Sequence, residues 1–163
     1  NLAICSLNDI VSKTVKLAAA ELREKNIALK VNLATSLPKV YADSALIEQS
    51  ILNLIKNAMQ AMPEDRVKPV ITVSTFMDSD MVKLSVSDNG CGMTEDQMSK
   101  IFEPYFTTKS SGTGLGLTVL FKIMKQHGGD VHVRSVYGEG TEFTLQIPVP
   151  QTERFRLTDG GKA

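Results

Sequence analysis

Apolar residues recur with a helical period over residues 7–25. Leu7, Val11, Val15, Ala18 and Leu22 fall on one face, and no Gly or Pro interrupts them. Residues 26–33 alternate and predict a strand; Pro38 closes the next turn, and residues 39–42 can add a short second strand. Asp43 or Ser44 can cap a helix over about 44–62, with Ile47, Ile51, Leu54, Ile55, Ala58, Met59 and Met62 as its stripe and Pro63 as its stop. Residues 69–76 and 81–87 read as strands joined by a hairpin at Met77-Asp-Ser-Asp80. Val82, Leu84 and Val86 share one face of the second. A short helical piece (about 95–101) leads into a Gly/Ser/Thr-rich stretch ending near residue 113. So long a connection inside a small domain usually serves as a lid or binding loop. A helix over 114–127 ends at Gly128-Gly129. Strands 130–136 and 141–147, turning at Tyr137-Gly-Glu-Gly140, complete the pattern.

Three helices and five or six strands result, and the strands are mostly joined by short turns. Short turns demand antiparallel pairing, which excludes a doubly wound parallel sheet. The expected fold is an α/β two-layer sandwich: a mixed, mostly antiparallel sheet with three helices on one face. Residues 1–149 are expected to form one domain and 150–163 a loose polar tail.

Composition narrows the function. The 163 residues are 42% apolar, enough for a globular core, and no run approaches the ~20 apolar residues of a membrane span. Eighteen basic and eighteen acidic residues balance, which argues against a nucleic-acid partner. Cys5 and Cys91 lack metal or redox spacing. The chain starts at Asn1 with neither Met nor signal sequence, so a fragment of a longer protein is expected.

Four short segments carry the chemistry. Asn53 and Asn57 lie four apart on one helix face, where their amide oxygens suit a hard cation such as Mg²⁺. An isolated Asn pair is more often bonded to neighbouring loops. Asp88 keeps the phase of Val82, Leu84 and Val86, so its carboxylate points inward and needs a donor such as the exocyclic amine of adenine. Gly90 and Gly92 follow and permit close approach of a flat base, although Asp-Asn-Gly at a strand end also makes an Asx-turn unaided. The run Gly112-Thr113-Gly114-Leu115-Gly116-Leu117 opens a helix, where unpaired N–H groups favour phosphate. Lys109 just before it can reach a phosphate as a point charge, or sit solvated on the surface. Thr141, in phase with Phe143, Leu145 and Ile147, also points inward. Phe102, Tyr105 and Phe106 form a loop aromatic cluster that reads as packing. His127, at a helix C-terminus, and His132 read as structural.

Together, in this order, these segments resemble the catalytic and ATP-binding domain of sensor histidine kinases, within the superfamily that includes gyrase, heat-shock and mismatch-repair ATPases. The likeness covers about residues 5–149. Asn53–Met62 resembles the N box, Asp88–Gly92 the first glycine box and Phe102–Lys109 the F box. Gly112–Leu117 resembles the second glycine box, and Gly138–Phe143 the last glycine segment.

The resemblance implies a Bergerat-type fold and ATP and Mg²⁺ as cofactors. It implies that Asn57 holds Mg²⁺ with Asn53 assisting, and that Asp88 binds adenine with Gly90, Gly92 and Thr141 nearby. Phe102, Lys109, Gly112, Thr113, Gly114, Leu115, Gly116 and Leu117 would lie around the nucleotide under a lid of about 103–113. It further implies phosphoryl transfer to a histidine on an upstream dimerisation domain, a response-regulator receiver domain downstream, a monomeric fragment of a homodimeric parent, and a cytoplasmic location. Where many members carry a basic residue three positions past the metal Asn, this chain has Gln60, and Lys109 would supply the charge, as in nitrogen-regulation-type kinases. Hydrolytic relatives carry Glu where this chain has Asn53; an amide cannot act as a general base, which favours transfer over hydrolysis. A nucleotide-sensing module without transfer is the alternative of a different class.

Overall fold

The structure, a computed structural model, describes residues 1–101 and 116–150. Phe102, Lys109, Gly112, Thr113, Gly114, Leu115, the expected lid and almost all of the expected tail lie outside the described residues.

The elements run β1 (Ala3–Cys5), α1 (Leu7–Glu24), β2 (Ala28–Asn32), β3 (Val40–Ala42), α2 (Ser44–Gln60), β4 (Val70–Asp78), β5 (Met81–Asp88), α3 (Glu95–Met98), α4 (Gly116–Gln126), β6 (Asp130–Val136) and β7 (Gly140–Pro148). Five strands form one sheet in the order β2-β4-β5-β7-β6, and β1 pairs with β3 in a separate two-stranded sheet. Only β2 runs parallel to its neighbour, β4; β4–β5, β5–β7 and β6–β7 are antiparallel. The mixed two-layer sandwich is therefore present as expected. The parallel pair follows from the helical crossover through α2 that separates β2 from β4, since parallel neighbours cannot be joined by a hairpin. β1 is too short for an alternating pattern and was not legible; its partner β3 coincides with the short strand expected at 39–42.

Each long helix begins and ends for a local reason. Ser6 caps α1 by accepting from the Asp9 N–H at 3.3 Å. At the other end Asn26 adopts φ 54°, and the Ile27 N–H reaches back to the Leu22 carbonyl at 3.0 Å. Asp43 caps α2 by accepting from the N–H groups of Ala45 and Leu46. Gly128, at φ 68°, turns the chain out of α4.

The core lies between the helices and one face of the sheet. α2 buries Ile47, Ile51, Leu54, Ile55, Ala58 and Met59, the stripe read from the sequence, with Met62 partly buried. It packs against α1, α4 and strands β4 and β5. The sheet supplies Ile71, Val73, Val82, Leu84, Val86, Phe143, Leu145 and Ile147, each the inward member of an alternating pair. Burying a large aliphatic side chain contributes about 1.5–3 kcal/mol, so α2 alone is anchored well enough to act as a fixed platform for its polar face.

Two buried polar arrangements tie the layers together. The Thr75 hydroxyl, 4% exposed, donates to Asn8 Oδ1 at 2.7 Å and accepts from the Ala34 N–H at 3.0 Å, while Asn8 Nδ2 donates to the Ala34 carbonyl at 2.8 Å. His127 is buried at the end of α4: Nδ1 lies 2.7 Å from the Ile123 carbonyl and Nε2 accepts from the Asp43 N–H at 3.0 Å. These contacts require the neutral tautomer with the proton on Nδ1, and they lock α4 to the start of α2.

Candidate nucleotide site

The polar face of α2 points toward the start of α4. Asn53 and Asn57 are half-buried on that face, while Lys56 and Gln60 are exposed. Gly116, the first residue of α4, lies directly against Asn53: a Cβ there would stand 2.9 Å from its Nδ2 and 3.0 Å from its Oδ1. A larger residue at 116 would push the Asn53 amide aside, so the helix start read from the sequence as a phosphate-type turn meets Asn53. Leu117 follows, half-buried against the core.

The other half of the site sits at the end of β5. Asp88 stands opposite Ile71 on β4 and opposite Thr141 on β7, continuing the inward row of Val82, Leu84 and Val86. It is half-buried. Its Oδ1 accepts from the Gly90 N–H at 2.8 Å, which is the Asx-turn that the sequence alone allows. Thr141 is 7% exposed, and its hydroxyl lies 2.8 Å from Ser135 Oγ. Ser135 Oγ also accepts from the Met93 N–H at 2.8 Å, which links β6 to the segment after the glycine turn.

The glycine turn is held from three sides by main chain. The Cys91 N–H donates to the Ala61 carbonyl at the end of α2 at 2.9 Å, and the Gly138 N–H donates to the Cys91 carbonyl at 2.6 Å. Asn89 accepts from the Val70 N–H at 2.9 Å and donates to the Lys68 carbonyl at 3.0 Å. Gly92 has φ 67°, and a Cβ on it would lie 2.1 Å from the Val136 carbonyl oxygen. No other residue fits both that angle and that space.

Asn53, Asn57, Asp88, Gly90, Gly92, Gly116 and Thr141 are thus carried by elements that abut: α2 meets α4 at Gly116 and the glycine turn at Ala61, and β5 meets β7 at Thr141. Phe102, Lys109, Gly112, Thr113, Gly114 and Leu115 lie outside the described residues. An open hollow of about 290 Å³ also lies at this end of the sheet, lined by Ser87, Asp88, Arg134, Glu139, Thr141 and Glu142 among others. Ser87, Arg134 and Glu142 alternate away from the helices and Asp88, Ser135 and Thr141 toward them, so this hollow lies at the end of the strands and is lined from both faces. Ser135, Asn89 and Arg66 are structural members of the site that sequence reasoning did not single out. Ser135 carried a signal, its inward phase with Val133 on a strand adjoining Thr141. Among the described residues no His, Cys, Asp and Glu cluster could hold a metal ion, and the Asn pair falls outside that donor set.

A mixed five-stranded sheet covered on one face by helices defines an α/β two-layer sandwich. The chain belongs to the family described as histidine kinase-, DNA gyrase B- and HSP90-like ATPases, whose profile matches residues 42–151, more than half of its length. Its relatives are sensor histidine kinases. Sensor histidine kinase ZraS of Escherichia coli (strain K12) is 40% identical over 148 residues, which cover 91% of this chain and 31% of that protein. Sporulation kinase E of Bacillus subtilis (strain 168) is 36% identical over 153 residues, 94% of this chain and 20% of that protein. The chain therefore spans between a fifth and a third of these curated relatives. Among solved structures, the nucleotide-free catalytic domain of histidine kinase ThkA matches with a TM-score of 0.81 at 31% identity, over 91% of this chain and 96% of that one. Full-length ShkA in complex with AMPPNP matches with a TM-score of 0.79 at 28% identity, over 91% of this chain and 31% of that one. No helix among the described residues is long and apolar enough to cross a membrane.

Proposed function

We propose that this chain is the ATP-binding catalytic domain of a two-component sensor kinase, presenting Mg·ATP for transfer of the γ-phosphoryl group to a histidine on a dimerisation domain outside this chain. The observation that carries the reading is the abutment of Asn53 on Gly116 at one end of a junction whose other end holds Asp88 beside Thr141. The AMPPNP bound to a full-length relative supports an adenine nucleotide as ligand.

The residues present fit both groups. Asp88 offers a half-buried carboxylate at the inward end of β5, and a carboxylate accepts from the exocyclic amine of adenine. Thr141 and Ser135 share a hydroxyl contact beside it. The N-terminus of α4 presents main-chain N–H groups to phosphate. Asn57, with Asn53 one turn earlier, offers amide oxygens of the hard type that Mg²⁺ prefers. When bound, Mg²⁺ would neutralise phosphate charge and orient the terminal group for in-line transfer. Lys109 would add a point charge, with Phe102 and residues 112–115 enclosing the phosphates.

Asn53 cannot take a proton from water, so the chain supplies nucleotide and orientation, and the accepting histidine supplies the nucleophile. The parent would be a homodimer that passes the phosphoryl group to a response-regulator receiver domain, with this portion in the cytoplasm.

Mixing the chain with a matching dimerisation domain and γ-labelled ATP is expected to label a histidine on that domain. No label on the partner would overturn transfer and favour a nucleotide-sensing module. Steady phosphate release by the chain alone at ~1 s⁻¹ or faster would instead mark a hydrolase.

A further inference from the structure

Arg66 sits in the loop between α2 and β4, and its own N–H closes a turn on the Pro63 carbonyl at 3.1 Å. Its side chain reaches away from that loop. Nη2 donates to the Gly90 carbonyl at 3.1 Å and to the Gly138 carbonyl at 3.1 Å. One nitrogen thus joins three stretches of chain: the α2–β4 loop, the glycine turn after Asp88, and the turn between β6 and β7. Arg66 has no carboxylate partner among the described residues, and its Nε is buried without a hydrogen-bond partner. A half-buried guanidinium kept with an unpaired donor is held in place for the two carbonyls it does reach. Those bonds are charge-assisted and stronger than neutral ones.

The carbonyls are well placed to matter. The Gly90 peptide that accepts from Arg66 through its oxygen belongs to the residue whose N–H holds Asp88 Oδ1 at 2.8 Å. The Gly138 residue that accepts from Arg66 donates its own N–H to Cys91 at 2.6 Å. Gly90 has no slack on its other side, since a Cβ there would lie 2.6 Å from the Ala61 carbonyl oxygen.

We propose that Arg66 is a positioning residue for the base end of the nucleotide site: by bridging Gly90 and Gly138 it sets the direction of the Asp88 carboxylate and so the preference for adenine over guanine. The inference rests on the adenine role of Asp88 proposed above. Guanine presents a carbonyl where adenine presents an amine, so a carboxylate held in a fixed direction accepts one and repels the other. A carboxylate left free to swing discriminates less.

The test titrates the 163-residue chain and its Arg66→Ala variant with Mg·ADP and, separately, Mg·GDP, both proteins being checked for folding by circular dichroism. The variant is expected to lose about tenfold in ADP affinity, the scale of one charge-assisted hydrogen bond, with a smaller change for GDP. Amide exchange should rise at Gly90 and Cys91 and stay unchanged in β4 and β5. A folded variant with the wild-type ADP-to-GDP ratio overturns the positioning role. Should Arg66→Ala fail to fold, Arg66→Gln, which keeps a neutral amide and much of the volume, decides by the same ratio. A wild-type chain that binds neither nucleotide sinks the adenine reading itself, a pattern distinct from an unchanged ratio.

Discussion

Thr75 illustrates how much a single hydroxyl can carry. It is buried on the inward face of β4, donates to Asn8 on α1 and accepts from the main chain of Ala34. Thr75→Val keeps the shape but removes the partner of the half-buried Asn8 Oδ1 and Ala34 N–H. An unmade buried hydrogen bond costs about 1–3 kcal/mol, so the chemical-denaturation midpoint should fall by an amount worth ~1 kcal/mol or more with an unchanged slope. A midpoint equal to wild type would show that Asn8 and Ala34 find other partners. The sequence did not reveal this network, because Thr75 reads there as an ordinary strand threonine and its partners lie 41 and 67 positions away. Asp88 and Thr141 were legible, because strand alternation alone aims them inward. Arg66 gave no signal: a loop arginine beside Glu64 and Asp65 looks like solvated charge.

At the scale of elements, periodicity gave the helices and most strands, and it failed where length or pairing decided. α2 matches its stripe because apolar spacing sustained over 17 residues fits a helix and not an alternating strand. β1 has three residues and owes its strand conformation to pairing with β3, so no local pattern could announce it. The parallel placement of β2 beside β4 is equally a matter of topology.

The start of α2 offers a pH prediction. The N–H groups of Leu46 and Ala45, donated to Asp43, hold its carboxyl below the usual carboxylate range. A carboxylate with a lowered folded pKa stabilises the fold above the unfolded value, about 3.9, and that contribution disappears as pH falls through the folded value. The thermal midpoint of wild type should therefore drop more steeply than that of Asp43→Asn as the pH is lowered below about 4. Parallel curves for the two proteins would remove Asp43 from the acid sensitivity of the fold.

For the whole molecule, the order of the glycine and asparagine segments was the strongest signal, because it implied that distant stretches share one cavity. The structure brings Asn53 to Gly116, Ala61 to Cys91 and Asp88 to Thr141, three contacts between stretches distant in sequence. Residues 102–115, read as motif only, lie outside the described part.

Calorimetric titration of Mg·ADP into the chain and into Asp88→Ala is the most direct measurement of the central claim. One site is expected in the wild type and a loss of about a hundredfold or more in the variant, because a half-buried acceptor and its charge disappear together. Equal affinity in the two proteins, or no heat with the wild type, would contradict it.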